Sequence, residues 1–293
     1  MLAAIDVGTN AVRLEMARPL PDGSLELVHQ ERDPVRPGEG LFTTGGMPKP
    51  VMERLLSTLR RYGALCRRHG AKVRAVATSA VREARNRDEI VRRARREGLT
   101  LDVISGREEA RLICLGVLHG RPPDARALCV DVGGGSTEIA VGTELGGPAW
   151  IRSADIGSLR LTRACLPSDP PTVEEVDAAR TVARAALAHL IPPRPTVALA
   201  VGGSARAAAK VVGRALGPDD LGLVAALCAR RPTAKLAKTF GIDRARAETL
   251  LAGALVLDQA ERLLGVPFRL ARGGLREGAA LALAERVAAA AAA

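Results

Sequence analysis

Residues 129–142, CVDVGGGSTEIAVG, join two apolar runs through a glycine turn. Leu128, Cys129 and Val130 lead to Asp131; Gly133, Gly134 and Gly135 follow; Ser136, Thr137 and Glu138 then open a second apolar run, Ile139 to Val141. This pattern predicts strand, tight turn, strand. Three glycines let the backbone approach a ligand and turn successive N–H groups into one concavity, which favours an anion. Asp131 and Glu138 flank the turn, where carboxylates can hold a cation over it, a combination suited to a metal-bound phosphate. A plain hairpin with a loose turn has the same letters, but the pattern recurs. Residues 3–14, AAIDVGTNAVRL, align Asp6-Val7-Gly8 with Asp131-Val132-Gly133. Two copies, one near the start of each half, predict two domains of one design, with their turns facing each other across a central cleft. A third glycine pair, Gly202-Gly203, follows an apolar strand and opens a helix, whose N-terminus also favours an anion.

Leu2–Val7, Ala11–Arg18 and Ser24–Arg32 read as strands, 33–46 as a Gly- and Pro-rich loop, and Pro50–His69 as an amphipathic helix. After a strand at Lys72–Thr78, the arginine-rich stretch Ser79–Glu97 reads as one helix. Most of its arginines belong to a solvated face. Arg82 differs, because it lies one turn into the helix beside a strand's C-terminal end, where ligands gather in α/β folds. Leu101–Ile104 is a short strand and Ser105–His119 a helix. Ser105 and Glu108 have capping-box spacing, which commits Glu108 to the fold. Glu109 lies about 100° further round and is not needed for the cap. It is either a free reactive carboxylate or a surface acid in a favourable first turn.

Arg121-Pro122-Pro123 reads as the link, giving domains 1–121 and 122–293. The second half repeats the plan with strands Ala127–Asp131, Thr137–Gly142, Ala149–Asp155 and Val197–Val201. Its helices are Gly157–Cys165, one capped by Thr172 with Glu175, then Ser204–Leu216, Asp219–Arg231, Thr233–Phe240 and Asp243–Leu264. Pro267–Ala271 is a last strand, and a helix from Leu275 ends in an alanine tail.

Forty-three Lys and Arg against 32 Asp and Glu give a net charge of +11, and only five of the cations are lysine. Arginine forks bind phosphate well, although an Arg- and Ala-rich chain equally reflects a GC-rich genome. Aromatic residues are 2% of the chain, too few for a base-stacking surface, and no helix-turn-helix or zinc-finger pattern occurs. An anionic small molecule or polymer fits better than nucleic acid. Five cysteines without a C-x-x-C pair suit a reducing compartment. No signal peptide or membrane-length apolar run is visible, so the expected location is cytoplasmic. The four histidines, His29, His69, His119 and His189, have no ligand spacing and are read as structural.

In order along the chain, AAIDVGTNAVRL, AVATSAVREARN, VISGREEARLICLGV, CVDVGGGSTEIAVG, AVGGSARA and GGLREGAALAL resemble the exopolyphosphatase and guanosine pentaphosphate phosphohydrolase (Ppx/GppA) family of the actin-like ATPase superfamily. The resemblance implies an α/β fold of two actin-like (ribonuclease H-like) domains around a cleft, with helical additions in the second. It also implies that the last helix, 275–293, packs back on the first domain. By the same resemblance, Glu109 is the base that activates water and Arg82 contacts substrate phosphate. Gly8, Thr9, Asn10, Arg13, Gly133, Gly134, Gly135 and Ser136 bind the terminal phosphates. Asp131 and Glu138 hold Mg²⁺, and Asp6 is either a second metal-side carboxylate or the cap of its own turn.

The implied reaction is hydrolysis of the terminal phosphoanhydride of inorganic polyphosphate. The rivals are 5′-phosphohydrolysis of guanosine pentaphosphate and non-catalytic sensing of either ligand. Relatives also imply a homodimer. Two departures stand out: Ala11 replaces a common serine, and the chain ends without the C-terminal helical domain of larger relatives, which points to short polyphosphate.

Overall fold

The structure, a computed structural model, describes residues 1–190, 192 and 197–292. The chain divides into two compact units, Met1–Arg121 with Gly273–Ala293, and Pro122–Arg272.

In the first unit, β1 (Leu2–Val7), β2 (Val12–Pro19) and β3 (Leu25–Asp33) form an antiparallel meander. A short α1 (Leu41–Thr44) and a long α2 (Lys49–Arg68) lead to β4 (Lys72–Ala77), which lies parallel to β1. Then come α3 (Ser79–Arg82), α4 (Arg87–Arg96), β5 (Leu101–Val103) and α5 (Gly106–Leu118). The strand order is β3-β2-β1-β4-β5.

Alternation along β1 explains the layering. Ala3, Ile5 and Val7 face α2, whose Val51, Met52, Leu55, Leu56, Leu59, Tyr62 and Cys66 recur at helical spacing and are buried. Each such Leu, Met or Val contributes about 1.5–3 kcal/mol on leaving water. Ala4 and, on β4, Val76 face the other way, onto Leu112 of α5 and Ala279, Ala280 and Ala282 near the chain end.

The second unit repeats the design with β6 (Ala127–Val132), β7 (Thr137–Thr143), β8 (Gly147–Ala154), α6 (Ser158–Cys165), α7 (Val173–Leu187), β9 (Val197–Val201) and α8 (Gly202–Val212). The helical additions are α9 (Asp220–Ala229), α10 (Thr233–Phe240), α11 (Arg244–Glu248) and α12 (Leu250–Leu264), followed by β10 (Phe268–Leu270). Read from β8, the order β8-β7-β6-β9-β10 matches the first sheet strand for strand. The registers match as well: Asp6 stands opposite Arg13, and Asp131 opposite Glu138. The two-domain α/β class expected from the repeated motif is therefore the observed one. α13 (Leu275–Ala292) returns to the first unit and packs on the sheet face that Ala4 and Val76 share with α5. The alanine tail is helical to Ala292, and Ala293 lies outside the described residues.

Three helices differ from expectation. The stretch 79–97 is not one helix: Asn86 both accepts from the Met47 N–H (3.0 Å) and donates to the Met47 carbonyl (2.9 Å), and the Arg85 N–H donates to Gly45. These tertiary bonds take the chain out of the helical ladder between α3 and α4. The helix expected over 243–264 is split at Thr249, whose backbone (φ −106°, ψ 2°) leaves the α region. α8 stops at Val212, where Gly213 caps it. The Thr172–Glu175 capping box is formed in both directions. All five cysteines are free thiols, and no described helix is long and apolar enough to cross a membrane.

Candidate active site

The two glycine turns are built alike. In the first unit the Gly8 N–H closes onto the Ala11 carbonyl (3.2 Å), and in the second the Gly133 N–H closes onto Ser136 (3.0 Å). In the second unit the turn's carbonyls are taken by the start of α6. Gly133 accepts from Ser158 N–H (2.9 Å), Gly134 from Leu159 N–H (2.8 Å) and Arg160 N–H (3.0 Å), and Gly135 from Arg160 Nε (2.7 Å). In a trans peptide the N–H points opposite to the carbonyl. The N–H groups of Gly134, Gly135 and Ser136 therefore point away from α6, an orientation compatible with an anion nest. The Thr9 carbonyl likewise accepts from Gly38 N–H (2.8 Å), which turns the Asn10 N–H away from that loop.

The carboxylates beside the turns differ in kind. Asp6 is buried, and Arg13 Nη1 lies 3.3 Å from its Oδ2. Burial pushes the Asp6 carboxyl above its ordinary value, while Arg13 and then Arg276 pull it down. Asp6 thus acts as the counter-ion of Arg13. At the equivalent place in the second unit the cross-strand partner is Glu138, so two carboxylates share one face. Ser153 Oγ donates to Glu138 Oε1 (2.8 Å). Gly202 (φ +80°) opens α8 against Asp131, and a Cβ there would overlap that carboxylate. Two adjacent carboxylates fit a hard cation such as Mg²⁺, which keeps waters and phosphate oxygens as its other ligands. Among the described residues no group of three His, Cys, Asp or Glu forms an all-protein cage. Ser204 Oγ donates to the Val132 carbonyl (2.9 Å), tying α8 to the turn.

In the first unit Thr9 Oγ1 and Ser79 Oγ lie 3.0 Å apart, tying the glycine turn to the start of α3. Arg82, the last residue of α3, donates through Nη1 to the Ile104 carbonyl (3.0 Å) and to Glu109 Oε2 (3.0 Å). Ser105 caps α5 by accepting from the Glu108 N–H (3.2 Å). The return half of the expected capping box is absent. The Glu108 carboxylate instead receives Arg111 through Nε (2.7 Å) and Nη2 (2.9 Å), and Arg74 through Nη2 (3.0 Å). Arg111 first and Arg74 second hold the Glu108 carboxyl below its usual range. Glu109 is 8% exposed and faces Arg82. The structure thus joins Asp6 with Arg13 and Arg82 with Glu109 in one unit, and Asp131 and Glu138 with Gly133–Ser136 in the other.

Two residues escape the sequence reading. The Arg246 guanidinium lies against Gly203 at the start of α8, a basic group added to an anion-favouring helix end. Arg160 grips the glycine triplet through Gly135. Neither sits in a recognisable local motif, and only the tertiary fold brings them to the turns.

Residues 20–287 match the model of the Ppx/GppA phosphatase family. Over 195 residues the chain is 42% identical to Exopolyphosphatase 2 of Mycobacterium tuberculosis, a match that covers 62% of this chain and spans only 60% of that protein's length. Exopolyphosphatase 1 of Mycobacterium leprae is 31% identical over 284 residues, covering 90% of this chain and 84% of that protein. The crystal structure of an exopolyphosphatase-like protein superposes with a TM-score of 0.88 at 26% identity, covering 98% of this chain and 99% of the other. The Aquifex aeolicus family member gives 0.82 at 27% identity and 97% coverage of both chains. With its repeated sheets, its paired glycine turns and a family match across most of its length, the chain belongs to the Ppx/GppA phosphatase family.

Proposed function

We propose that this protein is an exopolyphosphatase, which removes the terminal phosphate of inorganic polyphosphate by metal-assisted attack of water. The observation that carries the reading is the division of labour between adjacent glutamates: two arginines hold Glu108 to the fold, while Glu109 faces Arg82 in the first turn of α5. A carboxylate that accepts a proton from water must be held in position for it, and Arg82 holds Glu109. Glu109 is that base. Arg82 aims it and, turned to the transferred phosphoryl group, neutralises charge that develops there. Thr9, Asn10, Arg13 and the Gly8 turn bind phosphate oxygens, as do the N–H groups of Gly134, Gly135 and Ser136, with Gly133 closing their turn. Asp131 and Glu138 would hold Mg²⁺, whose charge offsets that of the phosphates when it is bound. Asp6 orients Arg13. The names of the relatives support polyphosphate as the substrate.

The test is phosphate release in Mg²⁺ from short polyphosphate, long polyphosphate and guanosine pentaphosphate, with Glu109→Gln as control. Release from polyphosphate that vanishes in the variant is expected, and the short-to-long ratio reads chain-length preference. Release from the nucleotide alone would replace the proposal with the nucleotide hydrolase, and binding without release would make the protein a sensor.

A further inference from the structure

Of the buried carboxyls that the proposed chemistry leaves unused, Glu15 lies beside a residue that chemistry does use. Glu15 lies on β2, on the same face as Arg13, and its side chain is 8% exposed. Arg276 Nη1 of α13 lies 3.3 Å from its Oε2. Arg276 also acts on Asp6, and its neighbour Glu277 acts on both Asp6 and Glu15. From the flanking strands, Gln30 and Arg32 of β3 stand opposite Glu15 and Arg13. Arg74 of β4 lies across Ala4 on the same face, joined to Asp102 of β5 and to Glu108 of α5, which also holds Arg111. Arg276 pairs with Glu15 and Arg13 pairs with Asp6, and the strand register puts both pairs on one sheet face, so Arg276 is within electrostatic reach of both carboxylates. A negative charge on Glu15 draws Arg276 away from Asp6, which then relies on Arg13. When that charge is removed, Arg276 compensates Asp6, and Arg13 is released toward an incoming phosphate.

We propose that Glu15 is a positioning residue: through Arg276 it sets how firmly Asp6 holds Arg13, and so how readily Arg13 turns to a substrate phosphate. The inference rests on the reading of Arg13 as a phosphate contact. Burial, and after it Glu277, push the Glu15 carboxyl up to about 7. Glu15 is therefore neutral below that pH and charged above it, and phosphate affinity falls as pH rises through neutrality.

The test compares wild type, Glu15→Gln and Glu277→Gln on tripolyphosphate with Mg²⁺, from about pH 6 to about pH 8.5. The KM of wild type relative to Glu15→Gln should rise at least about fivefold across that range, with kcat little changed. The substrate's own titration is common to both proteins and cancels in the ratio. Glu277→Gln should move the rise to lower pH, and this variant decides the matter if Glu15→Gln does not fold. A KM ratio that is flat with pH, or an inflection that Glu277→Gln leaves in place, overturns the proposal. Calorimetric Kd values for tripolyphosphate at the two extremes read the same ratio without turnover. Absent hydrolysis with pH-dependent binding would sink the hydrolase reading alone, and pH-independent binding would sink this one alone.

Discussion

Glu15 also makes a prediction about stability. Its carboxyl rises from 4.5 to about 7 on folding, chiefly because it is buried. Between those values the folded chain binds more protons than the unfolded one, so stability falls as pH rises through this window and then levels off. The loss is on the order of 3 kcal/mol, from the size of the shift. Glu15→Gln should therefore match wild type near pH 4 and exceed it by about that amount at pH 8, measured by urea unfolding at both values. At Gly202 the reason for the residue type is steric. Its φ of +80° disfavours any side chain, and a Cβ would enter the Asp131 carboxylate. Gly202→Ala should lose more than about 1–2 kcal/mol from backbone conformation alone. It should also weaken the Mg²⁺ response of phosphate release by displacing Asp131, and an unchanged metal titration would remove Asp131 from the cation's ligands.

At the scale of elements, Asn86 holds the break between α3 and α4 through both polar groups of Met47. Asn86→Ala leaves a buried donor and acceptor at Met47 with no partner, so it should destabilise the fold by about 1–3 kcal/mol in denaturant titration. It should also lower kcat, because Arg82 ends the short helix that this break defines. That break was only partly legible in the sequence: Asn86 ahead of Asp88 and Glu89 has the composition of a helix start, but the partners that fix it, Gly45 and Met47, lie far away in the chain. The strands and the two glycine turns were legible because alternation and Asp-x-Gly spacing are local signals. The commitment of Glu108 to the fold was also readable from helix geometry, although it is held by Arg74 and Arg111 rather than by the Ser105 N–H. The pairing of Arg82 with Glu109 and the place of Arg246 depend on contacts that no local pattern encodes.

At the scale of the whole chain, the first unit is discontinuous: residues 1–121 are completed by α13, and the continuous second unit lies between them in sequence. The junction with α13 is made backbone to backbone. Gly278 sits on the Leu112 carbonyl of α5, and a Cβ there would overlap it. The same helix covers Ala4, Val76 and Leu112 and carries Arg276 to Glu15. Rigid backbone cannot yield as a flexible side chain can, so a larger residue at 278 must lift α13 off the sheet. Gly278→Val should therefore cost more than about 1–3 kcal/mol, the usual range for overpacking. The loss should be confined to one unit, since the second unit has its own core of Leu128, Val130, Ile139 and Leu255. Hydrogen exchange reads this directly. Amides of β1 and β4 should exchange faster in the variant, while those of β6 and β7 keep their protection. Uniform acceleration in both sheets would mean that the chain unfolds as one cooperative body, and that α13 stabilises the whole protein rather than the unit it completes.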